Sequence, residues 1–164
     1  MTFREKLESL TESEWKNSKV TIKPIVNEKE LIYATYDCQL TKEQQDLVNP
    51  SWFEIGRSYL DSNDNYPCII YNEAMTPIGF INLKKWILTK THCSWSYYID
   101  KDFQGKGYGY AAAELAVKIL KAAEPEMTIK LATEECNLKA QKLYSALGFK
   151  LLPELDGDDL VFGL

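Results

Sequence analysis

The chain has a single histidine, His92, and no C-x-x-C pair among its four cysteines, so the donor spacing of a zinc site is missing. Cys38, Cys68, Cys93 and Cys136 are widely spaced and read as small buried hydrophobes in a reducing compartment. No apolar run approaches the length of a bilayer span, and the opening MTFREKLESLTESEW mixes both charges where a secretory signal is apolar. The expected setting is the cytoplasm, with no membrane partner. Basic excess is also lacking: the net charge is -5, which argues against a nucleic-acid partner, since displacing counterions from phosphates needs a basic face. There is no repeat, no low-complexity tract and no Gly/Ser/Pro-rich linker, so residues 1–164 are expected to form one domain. No string G-x-x-x-x-G-K-[ST] occurs, which removes the P-loop NTPases.

What is present is patterning of ordinary globular kind, with 45% hydrophobic and 26% charged residues. Residues 1–18 predict a helical arm, because Thr2 and Glu5 have capping-box spacing and Phe3, Leu7 and Leu10 fall on one face. Val20 to Ile25 alternates like a strand, and Asn27 with Glu30 opens a helix running through Leu31, Ala34 and Cys38. Thr41 with Gln44, and Ser51 with Glu54, predict two short helices by the same capping-box spacing. Tyr66 to Asn72 and Ile78 to Ile87 read as an antiparallel hairpin across the turn Glu73 to Pro77, followed by a strand from Cys93 to Ile99. A helix over Tyr108 to Ala123 carries Ala112, Leu115, Ala116, Ile119, Leu120 and Ala123 at three- and four-residue steps. Then come a strand (Thr128 to Thr133), a helix from Asn137 with Gly148 as its C-terminal cap, and two strands over Phe149 to Leu155 and Leu160 to Gly163. Consecutive antiparallel strands with one β-α-β crossover imply an α/β (α+β) fold with a mixed, mostly antiparallel sheet and helices on both faces.

The segment richest in chemistry is Gln104-Gly105-Lys106-Gly107-Tyr108-Gly109, between a strand and a helix. Glycines there let successive N–H groups approach a phosphate while the helix dipole adds positive charge, and Lys106 supplies a full one. The competing reading is a tight turn that needs positive φ. Gly107 to Ala112 also satisfies G-x-G-x-x-A, but only 55 residues follow Gly109, too few for the further β-α units, each of roughly 30 residues, of a dinucleotide fold.

Gln104 to Gly109 fits the pattern Q/R-x-x-G-x-G/A, and Asn137 to Phe149 fits N-x-x-A-x-x-L-Y-x-x-x-G-F. With Tyr98-Ile99-Asp100 before the loop, these motifs resemble the GNAT superfamily of N-acetyltransferases over the C-terminal half. Gln39-Leu40-Thr41, Gln44, Val48, Ile78-Gly79-Phe80 and Glu154-Leu155-Asp156 look like bacterial diamine, spermidine or spermine acetyltransferases. The resemblance implies a splayed parallel strand pair, acetyl-coenzyme A as co-substrate without a metal, and direct transfer to a primary amine, best a polyamine or diamine. A peptide, protein or antibiotic amino group, or a non-catalytic acyl-coenzyme A sensor, is the alternative. Family members are often dimers, so a homodimer is among the expectations.

The same resemblance assigns coenzyme contacts to Tyr98, Ile99, Asp100, Gln104, Gly105, Lys106, Gly107, Tyr108, Gly109 and Asn137. Asn137 equally suits a helix cap. It makes Tyr144 the general acid toward the departing thiolate, against a plain reading as a core tyrosine. An ammonium must lose its proton before attack, and Glu134 and Glu135, after the crossover strand, are the candidate bases, against a reading as a solvated acidic pair. Asp37, Glu43 and Glu54 are candidates for binding a cationic amine, and His92 reads as structural.

Overall fold

The computed structural model describes residues 1–86 and 89–164, so Ile87, expected at the end of a strand, lies outside the described residues. Thr2 caps helix α1 (Phe3–Glu8) through a complete capping box with Glu5, and a 3-10 turn follows over Glu12–Trp15. The arm is thus a short helix and a turn, and it does not stand apart. Phe3 and Leu7 are 1% and 0% exposed in the main core, and Lys6 pairs with Glu124 at the far end of the longest helix.

Strand β1 (Thr21–Pro24) leads to α2 (Glu28–Ile32), capped by Asn27 Oδ1 on the Glu30 N–H. From Tyr33 to Asp37 the helix widens into a π-turn closed by Cys38 N–H on the Tyr33 carbonyl. Helix α3 (Lys42–Gln45) has the expected Thr41/Gln44 capping box. For α4 (Ser51–Leu60) the capping expectation fails. Pro50 is the N-cap, the Ser51 hydroxyl donates to the Ala34 carbonyl, and Glu54 points into the protein. Both side chains have stronger partners across the fold than their own helix start.

Strands β2 (Asn65–Tyr71), β3 (Pro77–Lys85) and β4 (Cys93–Ile99) pair antiparallel in the order β1-β2-β3-β4. Helix α5 (Tyr108–Ala123) buries its alanine, leucine and isoleucine stripe against this sheet; small residues let the helix approach closely, and each fully buried Leu or Ile contributes roughly 1.5–3 kcal/mol. After it come β5 (Lys130–Thr133), α6 (Leu138–Ala146), β6 (Lys150–Asp156) and β7 (Asp159–Gly163), in a second antiparallel sheet of order β5-β7-β6. Gly148, at φ 92°, ends α6 as expected, with the Phe149 N–H returning to the Tyr144 carbonyl.

The two sheets meet at a parallel bridge between Cys93 and Ile129. The main core fills the face under α1 and α5, while a smaller cluster of Ala34, Ile69 and Phe80 fills the face under α2 and α4. This is the mixed architecture with helices on both faces and a splayed parallel pair. Cys38, Cys68 and Cys93 are buried as expected, whereas Cys136 is exposed, because it lies in the turn before α6 rather than on a packed stripe. No helix among the described residues is long and apolar enough to cross a membrane.

Candidate active site

Alternation along β4 builds the site. Ser94, Ser96 and Tyr98 share one face and Trp95, Tyr97 and Ile99 the other, since successive strand residues point oppositely. Ser96 Oγ meets Glu54 and Lys84 on the α4 side, whereas the Tyr97 hydroxyl donates to the Gly109 carbonyl at the start of α5. At its first residue β4 is tied to the segment before β5 by Cys93 N–H on the Thr128 carbonyl. Beyond that point β5 takes β7 as its partner, and the two parallel strands diverge.

The divergence opens a cleft of about 770 Å³, within the range of ligand sites, that passes between the sheets. It is lined on one side by Leu40, Gln44, residues 46 to 49, Arg57, Lys84 and Ser96, and on the other by Tyr97, Ala140, Leu143 and Tyr144. Tyr98, Ile99, Gln104, Gly105, Gly107, Gly109, Asn137 and Glu134 also line it.

The glycine segment is a cradle. Gly105 and Gly107 have φ of 73° and 84°, so the turn does require glycine. Gly107 is the N-cap of α5 with no side-chain cap, and no acidic residue lies in the first turn, leaving the first N–H groups of a 16-residue helix open to an anion. Lys106 turns away, its Nζ donating to the Asp102 carbonyl 3.2 Å away. The cation at the cradle is Lys19. A Cβ on Gly107 would lie 3.0 Å from Lys19 Nζ, which sits 5.2 Å from the centre of the Tyr108 ring. Asn17 puts it there: Nδ2 donates to the Ala111 carbonyl in α5, while Oδ1 accepts the N–H groups of Lys19 and Val20.

Other motif residues brace the loop. Gln104 Nε2 donates to the Ile99 carbonyl (2.8 Å) and exchanges paired amide bonds with Gln44 (2.8 and 2.9 Å), clamping α3 to the cradle. Asp100 gives its N–H to the Ile78 carbonyl and accepts the Gln39 and Asp102 N–H groups. The Tyr108 hydroxyl donates to Glu73. Asn137 Oδ1 caps α6 at the Ala140 N–H, and the residue also lines the cleft.

Tyr144 is 9% exposed, packed against the rings of Phe149 and Phe162, and burial alone pushes its phenol up to about 12. It therefore holds its proton at neutral pH. The expected base pair splits: Glu134 faces the cleft, whereas Glu135 is exposed outside the cleft lining and its carbonyl accepts from Gln141. Asp156 and Asp159 join Glu134 on the cleft wall. Burial, then the charges of Glu134, Asp156 and Asp158, hold the Asp159 carboxyl above its ordinary range. Asp37 and Glu43 are exposed and lie outside the cleft lining. His92 is 7% exposed, its ring tilted by 44° against that of Trp86, and burial lowers its pKa.

The sequence profile of the Acetyltransferase (GNAT) family matches residues 29–149, spanning the α2–α4 wall, the glycine cradle and Tyr144. The chain belongs to the GNAT family. It is an acyl-coenzyme A-dependent N-acetyltransferase by that membership. No curated protein matches the chain by sequence. Solved structures share the GNAT fold at low identity. An acetyltransferase from Agrobacterium tumefaciens superposes with a TM-score of 0.70 at 16% identity, covering 91% of this chain and 92% of that one. Spermidine N-acetyltransferase from Vibrio cholerae, solved with CoA and spermine, has a TM-score of 0.67 at 16% identity over 90% and 94%. RimJ from Mycobacterium smegmatis, solved with CoA-disulfide, has 0.69 at 15% over 88% and 81%.

Four charged residues in or beside the cleft lay outside the motifs. Lys19, Arg57 and Lys84 carry no local signal, because their positions depend on strand pairing and the path of the arm. Asp159 had one, the acidic Asp156-Gly157-Asp158-Asp159 run, which reads by itself only as a turn.

Proposed function

We propose that residues 1–164 act as one acetyltransferase domain that binds acetyl-coenzyme A along the β4–β5 split and transfers the acetyl group directly to a primary amine. One observation carries this reading: the split is lined by a protonated, buried phenol at Tyr144, and the glycine cradle with Lys19 lies at its margin. Bound there, acetyl-coenzyme A supplies an activated thioester. The open N–H groups at the start of α5 and Lys19 suit its phosphates, and Gly105, Gly107, Tyr108, Gly109 and Asn137 stand beside them; Lys106 adds charge only at longer range. The β4 edge at Tyr98 and Ile99, which has no β5 partner and whose Ile99 carbonyl is held by Gln104, suits the pantetheine arm and the thioester carbonyl. Gln104 and Asp100 hold that backbone in place.

The amine attacks the carbonyl carbon as its proton passes to a carboxylate, Glu134 by position, with Asp159 beside it and Glu135 one residue further. The tetrahedral oxyanion collapses, the carbon–sulfur bond breaks, and the Tyr144 proton goes to the thiolate. The acidic wall of Glu134, Asp156 and Asp159 favours an acceptor arriving as a cation. A diamine or polyamine is the simplest such acceptor, and the spermine-bound Vibrio cholerae structure supports the choice. A peptide, protein or antibiotic amine fits the same chemistry. A cytoplasmic location is consistent with the free thiols.

The test is thiol release from acetyl-coenzyme A with an amine panel, in wild type and Tyr144→Phe. The substitution should lower kcat on the order of 10²-fold while the affinity for coenzyme A stays unchanged. Unchanged turnover removes the acid role; coenzyme binding without turnover by any amine favours a sensor.

A further inference from the structure

The cleft is charged on both walls, and the wall opposite the acids carries Lys84, Arg57 and Asp46. Glu54, on α4, is 0% exposed and accepts hydrogen bonds from Asn49, Asn82, Ser96 and Lys84. Lys84 gives its three N–H donors to both Glu54 oxygens and to Ser96 Oγ. One carboxylate and one ammonium cancel. Arg57 is then in excess, since its ion pair to Glu54 is long at 3.6 Å.

The Arg57 guanidinium lies 4.9 Å from the centre of the Phe53 ring and faces the cleft with a side chain 21% exposed. It makes no hydrogen bond among the described residues, so five donors in a planar fork are unspent. Asp46 lines the same wall but forms no ion pair with Arg57 among the described residues. A polycation laid along this cleft meets like charge at Arg57, where repulsion penalises it. A planar fork held by Glu54 on one side and an aromatic ring on another is the arrangement that takes an oxyacid in two parallel hydrogen bonds.

We propose that the acceptor is an amine that also carries an acid group, and that Arg57 receives the acid while the acidic wall takes the amine. This rests on the acetyl-transfer reading and replaces the bare polyamine as acceptor. The class is amino carboxylates and aminoalkyl phosphates, which share the oxyacid that Arg57 reads.

The experiment compares amines of one chain length ending in methyl, ammonium, carboxylate or phosphate, by kcat/KM for thiol release. Wild type should prefer an acid-ended amine to both others, and the better acid arm identifies the group. Arg57→Gln should lower the ratio of acid-ended to methyl-ended kcat/KM by at least about tenfold, the loss of a charge-assisted pair. Arg57→Lys, which keeps charge but not the fork, should recover part of that ratio. If Arg57→Gln does not fold, the wild-type ranking and the lysine variant still decide. Preference for the diamine, or a ratio unmoved in both variants, overturns the proposal and leaves acetyl transfer standing. Failure of every amine removes both.

Discussion

At Gly107 a single hydrogen in place of a side chain decides the shape of the glycine cradle, the proposed coenzyme site. Its φ of 84° costs an L-residue about 1 kcal/mol or more, and a Cβ would press on Lys19 Nζ at 3.0 Å. Gly107→Ala should therefore raise the KM for acetyl-coenzyme A several-fold with kcat nearly retained, and Lys19→Ala should do the same with a weaker salt dependence of that KM. Steady-state kinetics at two ionic strengths checks both; a Lys19 variant indistinguishable from wild type would show that its charge does not reach the coenzyme. Tyr144 makes a second residue-scale case. Because burial raises its phenol from about 10 to about 12, the proton is retained from neutral pH up toward that value, and any stability it lends is present below pH ~10 and lost as pH rises through the folded value. Wild-type kcat should accordingly not fall between roughly pH 8 and 10. Both residues were legible in the sequence, since a positive-φ glycine and a helix-stripe tyrosine sit in local motifs. That Lys19 lies beside Gly107 while Lys106 turns to the Asp102 carbonyl was not, because it depends on where a distant arm is anchored.

Helix α4 is joined to strands β3 and β4 by charge as much as by packing. Glu54 is desolvated, which alone would raise its pKa, yet Lys84 and the donors Asn82 and Asn49 outweigh burial and hold the carboxyl below the ordinary range. The depressed value means that the stabilisation is present above the ordinary carboxylate pKa of about 4.3 and is lost as pH falls through the folded one. Glu54→Gln should cost about 3 kcal/mol in denaturant unfolding at pH 7, because Lys84 is left without its counter-charge, and the cost should shrink below pH 4. A loss under about 1 kcal/mol would mean that cleft water solvates Lys84 freely. The helix was expected from Ser51 and Glu54 as its own capping box, and their spacing was a correct sign of a helix. The capping role went elsewhere because Ala34, Lys84 and Ser96 come from segments that spacing within one helix cannot foresee.

At the scale of the whole molecule, the first helix is anchored in the core by two residues. Phe3 and Leu7 are fully packed beneath α5, and Lys6 and Lys85 share Glu124, joining arm, helix and sheet. Phe3→Ala should destabilise by about 3–5 kcal/mol in a urea melt, as for any large core ring, where a loosely attached arm would lose almost nothing. The sequence by itself determined the order of elements, the glycine cradle, the Tyr144 position and the family, since each is written in local spacing: period two, period three to four, and backbone conformations open to glycine alone. Only the tertiary structure decided which charges share the cleft. Arg57, Lys84, Glu134 and Asp159 lie far apart in the chain and line one cleft because β4 and β5 pair at Cys93 and Ile129 and then part, while Asn17, anchored on α5, sets Lys19 at its margin.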